Sequence, residues 1–407
     1  MKPVLVVGGG MITHDQILPA LYKMQRAGEV GEITVCAQHA KTVQALAAAP
    51  AILKAFPNQS FTAFPEEFAG GPQPDLYKAV IAEMPERSVV IIALPDQLHF
   101  PATMEALRHN QHVICVKPLV LTARESLEIE REARARGLFV GVEYHKRFDD
   151  RAHRARQLYR DGRLGEFKLG TARLMEKWYY RESNFQNWCT VENTDCFTYI
   201  GCHYVDLVHF ITALRPVSVS NYGIIDTYPN GKQGYLWCDT RVKWDNGAVL
   251  NVQTTLCYPN EGPGPNTQGM TLYCGGGTGA MLDHSDQYRG LSYTFSKKAD
   301  SPGATFYSEP SPDYFQYNDL GGPGLEPVGY GVRSVEHLVR TIYRVDSAGD
   351  VSSRQTLLGE IDAQGILATP GNSRYNELVV EAGRLSILNN GREALIEYEP
   401  EPRISLS

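Results

Sequence analysis

The sequence predicts a doubly wound parallel α/β sheet over residues 1–146, followed by an α+β domain with a large, mostly antiparallel open sheet over 147–407. Three observations carry this. The β-branched apolar run Val4, Leu5, Val6, Val7 leads straight into three glycines and then a helical pattern. Strand and helix patterns alternate from there to about residue 145, and after 146 strands dominate.

A short, continuous apolar run such as 4–7 suits a central strand buried on both faces. The following helix carries Ile17, Leu18, Leu21 and Met24 at helical spacing, with Thr13 or His14 at its mouth and Gly28 beyond its end. Between them Gly8, Gly9 and Gly10 let the backbone turn sharply and approach a pyrophosphate resting on the helix N-terminus. The pattern is GxG without the third glycine, because position 13 is Thr13. Strands follow at 33–36, 61–64, 89–92, 112–115 and 138–143, with helices predicted at 41–55, 76–84, 101–109 and 123–136. Asn110 stands where a helix end calls for a left-handed backbone. Ligand sites in such sheets collect at the strands' carboxyl ends. That principle marks Gly8, Gly10, Met11, Ile12, Gln38, Leu94, Pro95, His99, Lys117 and Glu143 as cofactor-binding candidates.

After a connecting helix at 151–160, strands are predicted at 168–178, 217–225, 234–244, 248–257, 270–274 and 291–295. Asp245, Asn246 and Gly247 form a hairpin turn between two of them. One long helix, 198–213, interrupts the strands and carries His203, Asp206 and His209. The glycine- and proline-rich stretches 259–266 and 301–331 read as long surface loops. Helices return at 332–348 and 376–388.

The chain has 407 residues, 43% hydrophobic content and a net charge of −7, without a basic cluster. That balance argues against nucleic acid or an anionic membrane as the main partner and leaves small molecules. No apolar run approaches the ~18 residues that span a bilayer, and the first strand begins at residue 3, so a cytoplasmic protein is expected. The eight cysteines include no CxxC pair and read as buried free thiols. Cys196, Cys202 and His203 lack a fourth ligand, so no metal is expected.

The run ALPDQLHFPATMEALRHNQHVICVKPL, residues 93–119, resembles the signature of the glucose-fructose oxidoreductase, inositol dehydrogenase and rhizopine catabolism (Gfo/Idh/MocA) family. The residues 146–167 look like that family's bridge into its second domain, and GCHYVDLVHFI, 201–211, like its histidine-bearing helix. The resemblance implies an N-terminal Rossmann domain and NAD(P)-dependent redox chemistry on sugars or polyols. It also implies an open sheet whose outer face joins a homo-oligomer, a dimer or tetramer. Three positions depart from the family pattern. Val116 replaces the acidic residue before Lys117-Pro118, and Tyr199 replaces the carboxylate one turn before His203. The second strand ends in Cys36, Ala37, Gln38 and His39, without a carboxylate for an NAD ribose. No arginine follows to hold a 2′-phosphate, so NAD is the leaning and NADP stays open.

Oxidising a secondary alcohol needs a cation or donor near the oxygen and a group that takes the proton. Lys117 and His203 fit, the histidine through the family helix, and Tyr199, four residues before His203 on the same face, is a candidate either to donate to the substrate oxygen or to orient His203. Trp178, Tyr179, Tyr180, Arg181 and Trp188 offer aromatic faces and planar donors for a sugar. Arg147, Asp206, Lys117 and His203 complete the substrate-binding candidates. A dehydrogenase is the first reading. An NAD-dependent glycosidase or epimerase that recycles a bound cofactor is the second, and a non-enzymatic dinucleotide-binding regulator the third.

Overall fold

Val4–Val7 (β1) is buried along its whole length, as its β-branched composition requires of a strand covered on both faces. The computed structural model describes residues 1–66, 71–285, 293–296, 305–308 and 311–407. After β1 come Leu18–Arg26 (α1), Ile33–Cys36 (β2), Ala40–Ala47 (α2), Pro50–Ala55 (α3), Thr62–Phe64 (β3) and Leu76–Glu83 (α4). Val89–Ile92 (β4), His99–Arg108 (α5), His112–Val116 (β5), Ala123–Arg136 (α6) and Val140–Glu143 (β6) complete the series. The six strands form one all-parallel sheet in the order β3-β2-β1-β4-β5-β6. The order reverses between β1 and β4, the place where such sheets open a crevice for ligands. Where the sequence predicts one helix over 41–55, two form. Pro50 cannot donate to the preceding turn and starts α3 as its first residue.

The chain continues with Asp150–Arg160 (α7), Phe167–Lys177 (β7), Phe185–Trp188 (α8), Cys202–Thr212 (α9), Pro216–Thr227 (β8), Gln233–Trp244 (β9), Val249–Tyr258 (β10), Asn266–Cys274 (β11) and Ala280–Ser285 (β12). Tyr293–Ser296 (β13) pairs with Thr305–Ser308 (β14). Of the strand expected over 291–295, residues 291 and 292 lie outside the described residues. Of the expected loop 301–331, residues 301–304, 309 and 310 also lie outside them. Part of that stretch is a hairpin, Gln316–Gly322 (β15) with Gly324–Val328 (β16). Three helices follow, Tyr330–Asp346 (α10), Val351–Gln364 (α11) and Pro370–Ile387 (α12), then the strands Ala394–Glu397 (β17) and Arg403–Leu406 (β18).

Contacts divide the chain into two units, residues 1–148 with 314–374 and residues 149–313 with 375–407. The sequence predicts a second domain beginning at 147 and running to the end, but residues 314–374 pack with the first unit. Val335, Leu338, Val339, Ile342 and Val345 recur at helical spacing along α10 and join the same buried core as Val4, Val6, Ile91 and Ile114. Asp346, at the end of α10, lies 2.9 Å from Lys2, 3.0 Å from Arg87 and 3.7 Å from His112. The neighbouring His112 ring and the two cations hold its carboxyl well below the usual carboxylate range.

The second unit is built on an eight-stranded sheet ordered β12-β11-β7-β10-β9-β8-β17-β18, antiparallel except for the pairing of β7 with β10. Along β9, Leu236, Cys238, Thr240, Val242 and Trp244 are buried, while Trp237, Asp239, Arg241 and Lys243 face outward. That period of two is the mark of a sheet covered on one face. Trp244 and Ala248 close the β9–β10 hairpin around Gly247, whose φ of +83° suits the turn. All eight cysteines are buried free thiols. Among the described residues, no helix is long and apolar enough to cross a membrane.

Candidate active site

The glycine loop after β1 divides its duties. Gly8 has φ +117°, and a Cβ there would stand 2.0 Å from the Ala93 carbonyl oxygen at the end of β4, so the protein's own backbone demands this glycine. A Cβ at Gly9 would press on Thr42 Cγ2 at 3.0 Å. At Gly10 a Cβ would meet nothing within 4 Å. Among the described residues no protein atom crowds this position, so the space over Gly10 is open. Thr13, in place of a third glycine, is buried and donates its hydroxyl to the Gly8 carbonyl at 2.6 Å, pinning the loop from within. The helix behind begins with a π-helical turn, Thr13–Ile17, a form that recurs at functional sites. Met11 is exposed and Ile12 half-buried at this entry.

At the end of β2, Ala37 packs toward Gly9 and Gln38 is exposed. Beyond them a cavity of about 330 Å³ is lined by His39, Ala40, Lys41, Thr42, Pro65, Gly71 and Pro72. Sequence reasoning overlooked Lys41, because a cation five residues past the strand is unremarkable until the helix turns it into a cavity wall. At the end of β4, His99 is fully buried, with Nδ1 2.8 Å from the Pro118 carbonyl oxygen and Nε2 2.8 Å from that of Leu94. It therefore joins the segments carrying Pro95 and Lys117 rather than reaching outward. Lys117 itself is half-buried directly after β5.

Glu143, at the end of β6, is spent inside the protein. Its carboxylate accepts from Gln16 Nε2 at 2.8 Å and from the Ser334 hydroxyl, and lies 3.2 Å from His145 Nδ1. Gln16 in turn accepts from Tyr314 at 2.9 Å. Sequence reading expects Glu143 at the cofactor; the structure puts it in this buried network because Gln16 and, from α10, Ser334, both distant in sequence, supply partners. Arg147, expected at the substrate, is 2% exposed and donates to the Ile366 carbonyl at 3.2 Å.

In the second unit, Asp195 caps a π-helical turn, Phe197–Gly201, through the Thr198 N–H at 2.9 Å and hydroxyl at 3.0 Å. Tyr199 stands in that turn and His203 just after it in α9, 5% exposed. The 3.6-residue register behind the predicted shared face therefore does not run unbroken from one to the other. The Tyr199 ring meets Phe185 and Trp188 edge-on, with centroids 4.8 and 5.5 Å away. Asp206 is buried and accepts from Tyr375 Oη at 2.8 Å, while His209 stacks on Tyr375 at 3.8 Å. These two serve the packing of α9 on α12.

The segment after β7 offers two open aromatic faces, Trp178 at 42% and Tyr179 at 49% exposure. Tyr180 stacks behind Tyr179 at 4.8 Å, and burial pushes its phenol well up. Arg181, expected to donate to a sugar, is buried. It pairs with Asp226 at 2.6 Å, donates to the Thr227 carbonyl at 3.2 Å and lies 4.2 Å from the Trp178 ring, bracing that face from below. Lys177, which sequence reasoning missed, points its ammonium into the glycine-rich stretch. It donates to the carbonyls of Pro259 at 3.2 Å, Asn260 at 3.1 Å and Gly262. Asn260 Oδ1 accepts from the Tyr179 N–H at 2.9 Å, so this loop is tied to the aromatic segment.

Residues 2–144 match an oxidoreductase family with an NAD-binding Rossmann fold, and residues 152–279 match the GFO/IDH/MocA C-terminal domain. The D-glucoside 3-dehydrogenase of Escherichia coli (strain K12) is 23% identical over 301 residues, 69% of this chain and 76% of that protein. The levoglucosan dehydrogenase of Pseudarthrobacter phenanthrenivorans is 22% identical over 302 residues, 67% and 74% of the two chains. Other relatives match over less. An uncharacterized oxidoreductase of Schizosaccharomyces pombe is 31% identical over 120 residues, so the chain spans about a third of it (32%; 29% of this chain). Among solved structures, GenD2 from gentamicin A biosynthesis, in complex with NAD, shares the fold with a TM-score of 0.66 at 15% identity, over 97% of this chain and 96% of that one. The scyllo-inositol dehydrogenase from Lactobacillus casei with bound NAD(H) and scyllo-inositol gives 0.62 at 13%, over 96% and 98%. With the glycine cradle after β1, the lysine after β5 and both domain matches in place, the chain belongs to the Gfo/Idh/MocA family of NAD-binding oxidoreductases.

Proposed function

We propose that the protein oxidises or reduces a hydroxyl of a sugar, sugar derivative or polyol with NAD(P), using Lys117 and His203 as its proton-handling pair. The observation that carries this reading is the open space over Gly10, in the same parallel sheet whose β5 delivers Lys117. A bound nicotinamide supplies the hydride acceptor or donor. Lys117 stabilises the alkoxide that develops on the reacting oxygen, and His203 takes or returns the hydroxyl proton. Trp178 and Tyr179 give the ring a stacking face. Tyr199 is a further proton donor, and the residue that keeps a glycosidase or epimerase with a recycled cofactor as the second reading.

One assay separates the two. The enzyme is incubated with NAD and a panel of sugars, polyols and aryl glycosides while NADH absorbance and released aglycone are followed together. NADH in proportion to sugar consumed is expected. Aglycone without stoichiometric NADH would overturn the dehydrogenase in favour of the recycling enzyme, and binding of NAD without turnover of any sugar would leave a regulator. The same titration with NADP decides coenzyme choice. The absence of a carboxylate at the end of β2 removes the group that repels a 2′-phosphate, and Lys41 lines the cavity that follows. The exposed outer sheet face carries Leu169, Tyr222, Ile224, Trp237, Tyr273 and Met281, and we assign it to a homo-oligomer contact. Sedimentation as a monomer at micromolar concentration would refute that assignment.

A further inference from the structure

We infer that His99 is a buried imidazolium, charged at neutral pH, that positions Lys117 by donating from both ring nitrogens at once. Nδ1 and Nε2 each lie 2.8 Å from a backbone carbonyl oxygen, of Pro118 and Leu94 respectively, and the residue is 0% exposed. Carbonyl oxygens can only accept. A neutral imidazole owns a single N–H, so its other nitrogen would aim a lone pair at a carbonyl oxygen at hydrogen-bond distance. Two acceptors at that range call for two donors. The carbonyls belong to segments that follow β4 and β5, neighbours in the parallel sheet, and Pro118 is the residue after Lys117. The ring therefore staples the lysine's own backbone to the end of β4, where Gly8 also packs.

Charge at this point faces two costs, complete burial and the positive end of α5, whose first residue is His99. Burial is the largest influence and opposes the proton. Against it stand the sulfur of Cys115 on β5, the Asp96 carboxylate in the short helical turn before α5, and the Leu94 carbonyl. Together they raise the imidazole to about 9. A group whose folded-state pKa is raised stabilises the fold fully below its ordinary value near 6.5, and this contribution is lost as pH climbs through about 9. Above that pH one arm of the staple opens.

The catalytic consequence rests on the proposed role of Lys117; the charge state does not. Protein labelled with ¹⁵N-histidine is expected to show, at pH 8, a ring with both nitrogens protonated that belongs to His99. That ring should vanish from the spectrum of His99→Gln, or of His99→Asn if the glutamine variant fails to fold. An amide cannot span both carbonyls, so kcat should fall about tenfold with coenzyme affinity within twofold, and the wild-type decline in coenzyme-saturated kcat near pH 9 should change shape. No doubly protonated ring at pH 8 would overturn the inference, as would a folded His99→Gln variant with wild-type kcat. A protonated His99 alongside an active Lys117→Ala would instead overturn the role given to Lys117.

Discussion

Lys117→Ala is expected to lower kcat/KM by about 10²- to 10³-fold, corresponding to the ~3 to 4 kcal/mol that one positioned donor at a developing oxyanion commonly contributes. The fold should survive. Lys117 is half-buried directly after β5, outside the buried core that runs through Val113, Ile114 and Cys115. Truncating it removes a cation without opening a cavity among apolar side chains. Dinucleotide affinity, measured by calorimetry, should stay within a few-fold, because the pyrophosphate is assigned to the glycine loop. Circular dichroism checks the fold, and initial rates on the best substrate of the panel check the chemistry. A variant keeping more than half of the wild-type kcat would remove Lys117 from the reacting oxygen.

Gly10→Val should reduce dinucleotide affinity by at least a hundredfold, about 2.7 kcal/mol or more. The direction follows from the space above this residue, where a Cβ meets no protein atom within 4 Å. Valine there would fill the approach of the pyrophosphate without forcing a disfavoured backbone, since Gly10 is not among the residues with positive φ. Gly8→Ala is the contrasting substitution. Its Cβ would fall 2.0 Å from the Ala93 carbonyl oxygen at a φ of +117°, so that variant should lose stability whether or not dinucleotide is present. Melting temperature and calorimetric titration on both variants separate the effects. Wild-type coenzyme affinity in a folded Gly10→Val protein would reduce the loop to a turn.

Much of the first unit is legible in the sequence because its signals are local. A buried parallel strand needs a continuous apolar run, and the runs at 4–7, 33–36, 89–92 and 112–115 all fall in strands of the parallel sheet. The left-handed Asn110, with φ +55°, and the Asn246-Gly247 turn are equally local. Element breaks were harder to read. The link between α2 and α3 at Pro50 and the π-helical turn before His203 interrupt patterns that look continuous, since apolar spacing hardly changes when a single residue is added or a helix restarts.

The sequence by itself determined the family, through the run from Ala93 to Leu119 and the helix carrying His203, and with it the fold class and the NAD-binding domain. It also marked which polar residues stand near strand ends. Only the tertiary structure decided what each of those residues is committed to, because a partner's distance in sequence carries no information about its distance in space. Glu143 is taken up by Gln16 and Ser334, 127 and 191 residues away. Arg181 is taken up by Asp226, and Arg147 by the carbonyl of Ile366. A buried polar group that is left unpaired costs several kcal/mol, so a fold supplies such partners wherever burial occurs, whatever role the side chain's chemistry suggests. Of the residues on which the proposed chemistry stands, Lys117, Trp178 and Tyr179 keep accessible surface, while His203 is 5% exposed.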